Sequence, residues 1–134
     1  MIAVELTEID SVLRRQETMT AQLRQRQERL GELSAFAHFN PSHRPLLQEL
    51  YSEYESLRKQ LMDARAQLDE RILEPLRAVE RDIATFPESV ANIARPDVER
   101  LRSLRMTFVE QRDELAEQRS DCERQRQALR DQGV

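Results

Sequence analysis

Glycine is almost missing from this sequence: Gly31 and Gly133 are the two in 134 residues. A chain so short of glycine has little use for tight turns and left-handed backbone positions, which disfavours sheet folds built on hairpins. Tryptophan is absent and aromatics make up 4% of the chain, so a globule built around large rings is not expected. Lys59 is the one lysine among 21 basic residues, set against 25 acidic ones. The resulting charge of −4 argues against nucleic acid as the main partner, because phosphate binding needs a basic footprint. Cys122 stands alone, so no internal disulfide is possible and a reducing, cytoplasmic setting is expected. No stretch approaches the length of apolar run that a membrane span needs. The opening MIAVELTEID carries acids and no apolar run, unlike a signal or transit peptide.

Motifs that carry chemistry are also missing. There is no glycine-rich phosphate loop. His38 and His43 flank a turn, but no Cys, Asp or Glu stands near them at ligand spacing, so they read as polar turn residues. Carboxylates are spread along the chain instead of gathering. No catalytic set, metal site or cofactor is expected, and the chain does not read as an enzyme.

What is abundant is Leu, Arg, Glu, Gln and Ala, the composition of long helices and coiled coils. Three seams can be traced. The first, over about residues 4–39, runs Ile9, Leu13, Gln16, Thr20, Leu23, Gln27, Leu30, Ser34, Ala37 at alternating steps of four and three, the heptad pattern of a coiled coil. Val12, Met19 and Leu33 widen its apolar face enough for two neighbours. Thr7 is a candidate cap for its start.

FNPSHRPLL makes a first corner, since each residue before a proline is pushed to extended backbone and Pro45 suits a first helical turn. The second seam, over about 45–86, runs Leu47, Leu50, Tyr54, Leu57, Leu61, Ala64, Leu68, Ile72, Leu76, Val79, Ile83, Phe86. Its one irregularity is a pair of consecutive fours, Leu68 to Ile72 to Leu76, a stutter that locally unwinds a supercoil. Pro75 lies inside it. Proline removes a helical hydrogen bond and clashes with the carbonyl four residues back, so a kink in a continuous helix is expected, the alternative being two helices that meet there. TFPESVANIARPDVERL makes the second corner. The third seam, over about 96–131, runs Leu101, Leu104, Phe108, Gln111, Leu115, Gln118, Cys122, Gln125, Leu129. Cys122 reads there as a small buried apolar side chain.

Helices of about 36 to 42 residues span roughly 54–63 Å each, and short corners imply antiparallel neighbours. The expected fold is all-α: one domain, an elongated antiparallel three-helix bundle or coiled coil with its middle helix kinked near Pro75. The polar rungs of the outer helices face each other or line a dimer seam. Gln111, Leu115, Gln118, Cys122 and Leu129 are the candidates for such a seam, with Ile72 to Val79, Met106 and Val109 hinting at a second contact surface.

Arg95, Arg100, Arg102 and Arg105 gather past the second corner, with Arg77 and Arg81 before it. They read either as a solvated face paired with Glu80, Asp82 and Glu99, or as a tip for an anionic lipid surface or an acidic partner.

ILEPL around Pro75, followed by FPESVANIARPDVERLRSLRMTFVEQRDEL, resembles BAR domains, the dimeric helical crescents of amphiphysin and endophilin type, over about residues 72–115. The resemblance implies that the kink at Pro75 helps set curvature and that Arg95, Arg100, Arg102 and Arg105 meet anionic lipid. The family's Tyr-Asp pair is replaced here by Phe108-Val109. The leading functional expectation is a non-enzymatic adaptor or assembly subunit, acting on protein partners through helical faces as a homodimer. A small membrane-curvature module peripheral to a membrane, and a secretion-apparatus stalk or chaperone, are the alternatives.

Overall fold

The computed structural model describes residues 2–38, 44–85 and 95–134. The two corners, the Phe86 rung, and the side chains of His38, His43 and Arg95 lie outside the described residues. The elements are α1 (Ile2–His38), α2 (Arg44–Leu68), a π-helical turn (Asp69–Leu73), α3 (Glu74–Thr85) and α4 (Arg95–Asp131). Among the described residues there is no strand, and the protein is an all-α helical bundle. No helix is long and apolar enough to cross a membrane.

Helix ends follow local chemistry. Glu5 lies in the first turn of α1 and Asp97 in that of α4, where a carboxylate meets the positive end of the helix dipole. Thr7 is not the cap expected of it. The helix starts five residues earlier, and the Thr7 hydroxyl instead donates back to the Ala3 carbonyl at 2.9 Å. α4 stops at Gly133, whose φ of +93° only glycine adopts without strain. There the Val134 amide donates to the Leu129 carbonyl and the Gly133 amide to the Arg130 carbonyl, a Schellman closure.

The seams read from the sequence form the core. Leu6, Ile9, Leu13, Leu23 and Leu30 are buried from α1. Leu47 to Leu68 supply the middle stretch, and Leu104, Phe108, Leu115, Cys122 and Leu129 line α4. Each fully buried leucine contributes roughly 1.5–3 kcal/mol, and the repeated rungs zip the helices together along their whole length. Contacts set the order of the helices. Gln16 reaches Ala64 and Arg26 reaches Glu53, so numbers rise along α1 as they fall along α2. Arg58 meets Glu123 and Glu80 meets Arg105, again in opposite senses. Arg100 reaches Thr7 and Glu114 reaches Arg24, so α1 and α4 run in the same sense.

The stutter has a structural counterpart. Leu68, Ile72 and Leu76 are all fully buried, although two α turns cover only about 7.2 residues and the pair of fours needs 8. The π turn at Asp69–Leu73 takes up the excess: the Glu74 amide bonds to the Asp69 carbonyl, five residues back rather than four. Pro75 follows directly, as the second residue of α3, and the chain stays helical from Arg44 to Thr85. The wider turn keeps the seam on one face.

Candidate functional site

Three buried glutamines tie α1 to its neighbours inside the bundle. Gln16 donates its side-chain amide to the Ala64 carbonyl at 2.8 Å, Gln27 to the Gln118 carbonyl at 3.0 Å, and Gln118 to the Thr20 carbonyl at 3.2 Å. Helical carbonyls keep a second lone pair for such donors, so these amides are paired without breaking a helix. Beside them Arg24 and Glu114 form an ion pair across α1 and α4. The Arg24 guanidinium, helped by the Gln118 amide, holds the Glu114 carboxyl below the usual carboxylate range.

Burial assigns the face expected as a dimer seam to the interior. Leu115, Gln118, Cys122 and Leu129 are at most 2% exposed within a single chain, and Gln111 is half-buried beside them. In this fold those side chains are taken up by α1 and α2, so a second copy has no access to them. Cys122 donates weakly to the Tyr54 carbonyl at 3.5 Å, and burial pushes its thiol up to about 11.

The arginines of the tip do not form one patch. Arg100 donates to the Thr7 hydroxyl at 3.2 Å, and Arg105 pairs with Glu80 at 3.7 Å while lying over the Phe108 ring. Arg102 is exposed. Pro75, expected to shape a kink, lines a groove between α1 and α3 of about 360 Å³. Val12 and Ala78 make its apolar wall, and Glu5, Glu8 and Asp82 stand on its rim.

A different arginine pattern emerges on the face shared by α2, α3 and α4. Arg105, Arg112, Arg119 and Arg126 stand one heptad apart, about 10.5 Å per step along α4. The end rungs are closed off. Arg126 pairs with Glu55 and, at 3.4 Å, with Glu123, and it stacks over the Tyr51 ring at 5.4 Å. Arg105 is held by Glu80. The middle rungs differ: Arg112 reaches only Asp113, its neighbour in sequence, and Arg119 has no ionic partner among the described residues. Arg119 stands at the rim of a groove of about 510 Å³ between α2 and α4. Ala116 is exposed on its wall, Leu61 and Leu115 lie buried at its floor, and Arg65, Glu123 and Arg124 also line it. The arginines past the corner are near neighbours in sequence, whereas Arg105, Arg112, Arg119 and Arg126 are legible as a set only at a spacing of seven.

No family model, curated protein or solved structure matches the chain.

Proposed function

We propose that this protein is a non-enzymatic helical interaction module, an adaptor or assembly subunit of the cytoplasm that recognises partner helices through its outer faces and associates as a homodimer. The observation that carries the reading is the groove between α2 and α4. Exposed Ala116 and the charged side chains of Arg65, Arg119, Glu123 and Arg124 border it above the buried Leu61 and Leu115, the setting of a furrow for one more helix. Two neighbouring helices leave a furrow into which the ridge of a third can settle. Against a lipid surface at the tip stands the engagement of two of its arginines, Arg100 by Thr7 and Arg105 by Glu80.

Small-angle scattering with mass determination tests the assembly. The expected mass is twice 15.8 kDa, with a longest dimension above the roughly 55 Å of one 37-residue helix. A particle of 15.8 kDa at micromolar concentration sinks the homodimer. Co-sedimentation with anionic vesicles at low salt is expected to leave the protein in the supernatant. Pelleting there, lost at high salt, would return the membrane-surface reading.

A further inference from the structure

We infer that the groove between α1 and α3 is the face on which two copies of this chain dimerise, laid antiparallel across a two-fold axis so that Arg71 of each copy meets Asp82 of the other. The inference rests on the reading of the protein as a homodimer and gives that dimer its face.

The walls of this groove are open. Val12, Pro75 and Ala78 line it half-buried, above Ile9 and Val79, which the core takes up. A second helix layer that covers this partly exposed carbon gains by removing it from water. The Pro75 ring brings carbon to the wall with no amide to satisfy.

Charge divides the groove into two ends. The chain from Arg44 to Thr85 runs opposite to α1, so Val12 stands towards Arg71 while Glu5 stands towards Asp82. Arg71 and Asp82 are eleven positions apart, about 16 Å along the helix. That is about twice the screening length of roughly 8 Å at physiological salt, so the two do not serve each other. Among the described residues neither has an ionic partner, and neither Glu5 nor Glu8 has one. Arg15, exposed one heptad beyond Glu8 on the same edge of α1, adds a second cation at the Arg71 end.

A two-fold axis between the ends turns this division into complementarity. Inverting one copy brings its Arg71 and Arg15 over Asp82 and Glu5 of the other, and the same contacts recur at the opposite end, as an isologous interface requires. Pro75 and Ala78 then lie near the axis, against their counterparts. Laid in the same sense, the copies would set carboxylates on carboxylates. A partner of one sign fares worse: a basic helix meets Arg71 and Arg15, and an acidic helix or a nucleic acid meets Glu5, Glu8 and Asp82. Glu8 stands mid-groove near the axis, close to its own counterpart, and of the residues lining the groove it is the one that opposes the contact.

The test uses the full chain in equilibrium sedimentation. Asp82→Arg and Arg71→Asp are each expected to weaken the dimer by about tenfold or more, since each sets like charges together at both ends. Mixed one to one, the two variants restore both pairs, and a heterodimer within about threefold of the parent's affinity is expected. A side chain that only held the fold would not be rescued by mixing, and circular dichroism checks that each variant is helical. Glu8→Gln is expected to tighten the dimer by about twofold or more. Scattering of the parent is expected to give a rod about 85 Å long, because copies joined near one end project away from each other, against about 55 Å for copies side by side. A monomeric parent overturns the homodimer and this face together. A monomeric parent that binds a lysine-flanked leucine helix gives the groove to a basic partner instead. A dimer indifferent to Asp82→Arg, or variants that do not rescue each other, keeps the homodimer and removes it from this groove. Weaker dimerisation of Glu8→Gln moves the axis and overturns the pairing.

Discussion

The side-chain amide of Gln27 donates to the main-chain carbonyl of Gln118 at 3.0 Å, while the Gln118 amide reaches back to the Thr20 carbonyl at 3.2 Å. Two glutamines from helices that run in the same sense thus lock α1 to α4 at one level of the bundle. A slide of either helix by one turn, about 5.4 Å, would break both bonds and bury their amides unpaired. Polar rungs of this kind fix register more than they add stability.

Substitution at Gln118 separates those two roles. Gln118→Ala leaves a cavity and removes two side-chain hydrogen bonds, to the Thr20 carbonyl and the Glu114 carboxylate, and it is expected to cost about 1–3 kcal/mol in urea unfolding. Gln118→Leu fills the space with apolar surface; the Thr20 carbonyl it abandons remains bonded within its helix, and the Glu114 carboxylate keeps Arg24. It is expected to change stability by less than about 1 kcal/mol, while mass determination shows a broader mixture of oligomers. A Gln118→Leu protein as homogeneous as the parent would remove the register argument.

The π turn and Pro75 can be tested as a pair. Glu70 is exposed within the turn, and its deletion shortens the step from Leu68 to Ile72 to three residues. The seam then reads as a regular heptad that an ordinary α-helix can follow. Pro75 would fall inside unbroken α-helix, where proline costs about 3 kcal/mol. In the parent, Pro75→Ala is expected to change stability by no more than about 1 kcal/mol, the recovered hydrogen bond being offset by a freer unfolded chain. In the Glu70 deletion, the same substitution should recover most of the 3 kcal/mol or so. Deletion of exposed Lys59, which rotates half the seam out of the core, should unfold the protein outright. Equal effects of Pro75→Ala in both backgrounds would show that the turn and the proline are independent.

Much of this fold was legible in the sequence because a coiled-coil seam is a one-dimensional signal. Leu13, Leu57 and Leu115 are spaced as they are because they share a face, and counting recovers the face. The stutter at Leu68–Ile72–Leu76 was legible too, though whether it would unwind a supercoil or widen one turn depends on backbone hydrogen bonds that spacing does not encode. The site was less legible. Gln118 and Cys122 follow the same periodicity whether they face α1 or another chain, so spacing alone leaves open which surface covers them. The tip arginines cluster in sequence, yet Arg100 and Arg105 find Thr7 and Glu80, more than 20 positions away, through folding.

Alkaline pH should weaken the bundle through two buried acids. Burial pushes the Cys122 thiol up from 9.0 to about 11 and the Tyr54 phenol above its ordinary 10.0. In the unfolded chain both ionise at ordinary values. Between about pH 9 and about pH 11 the folded state therefore holds more protons than the unfolded one, and stability falls as pH rises through that window. The thiol's share is at most on the order of 3 kcal/mol. Urea midpoints should be insensitive to these two groups below about pH 8, and Cys122→Ala should show a shallower alkaline decline. A thiol reagent should label Cys122 no faster than the bundle opens. Fast labelling of folded protein at neutral pH would contradict the burial.

Rungs of one ladder should differ in what they do for stability. Arg126 is wedged between Glu55, Glu123 and the Tyr51 ring, with 19% of its side chain exposed. Its truncation to alanine breaks two ion pairs and a stack and leaves Glu55 half-buried without a counter-charge, so Arg126→Ala is expected to cost about 1–3 kcal/mol. Arg126→Lys restores the charge but not the planar fork or the stacking, and should recover less than half of that. Arg14, whose pair with Asp10 lies on the surface with 77% of the arginine side chain exposed, should lose no more than about 0.5 kcal/mol on truncation. Arg119→Ala should match Arg14 rather than Arg126, because an arginine with no partner in the folded chain contributes no pairing to lose. Urea unfolding of the four variants decides it. If Arg119→Ala destabilised as much as Arg126→Ala, the middle of the ladder would be structural and its groove would have no cation to offer a partner.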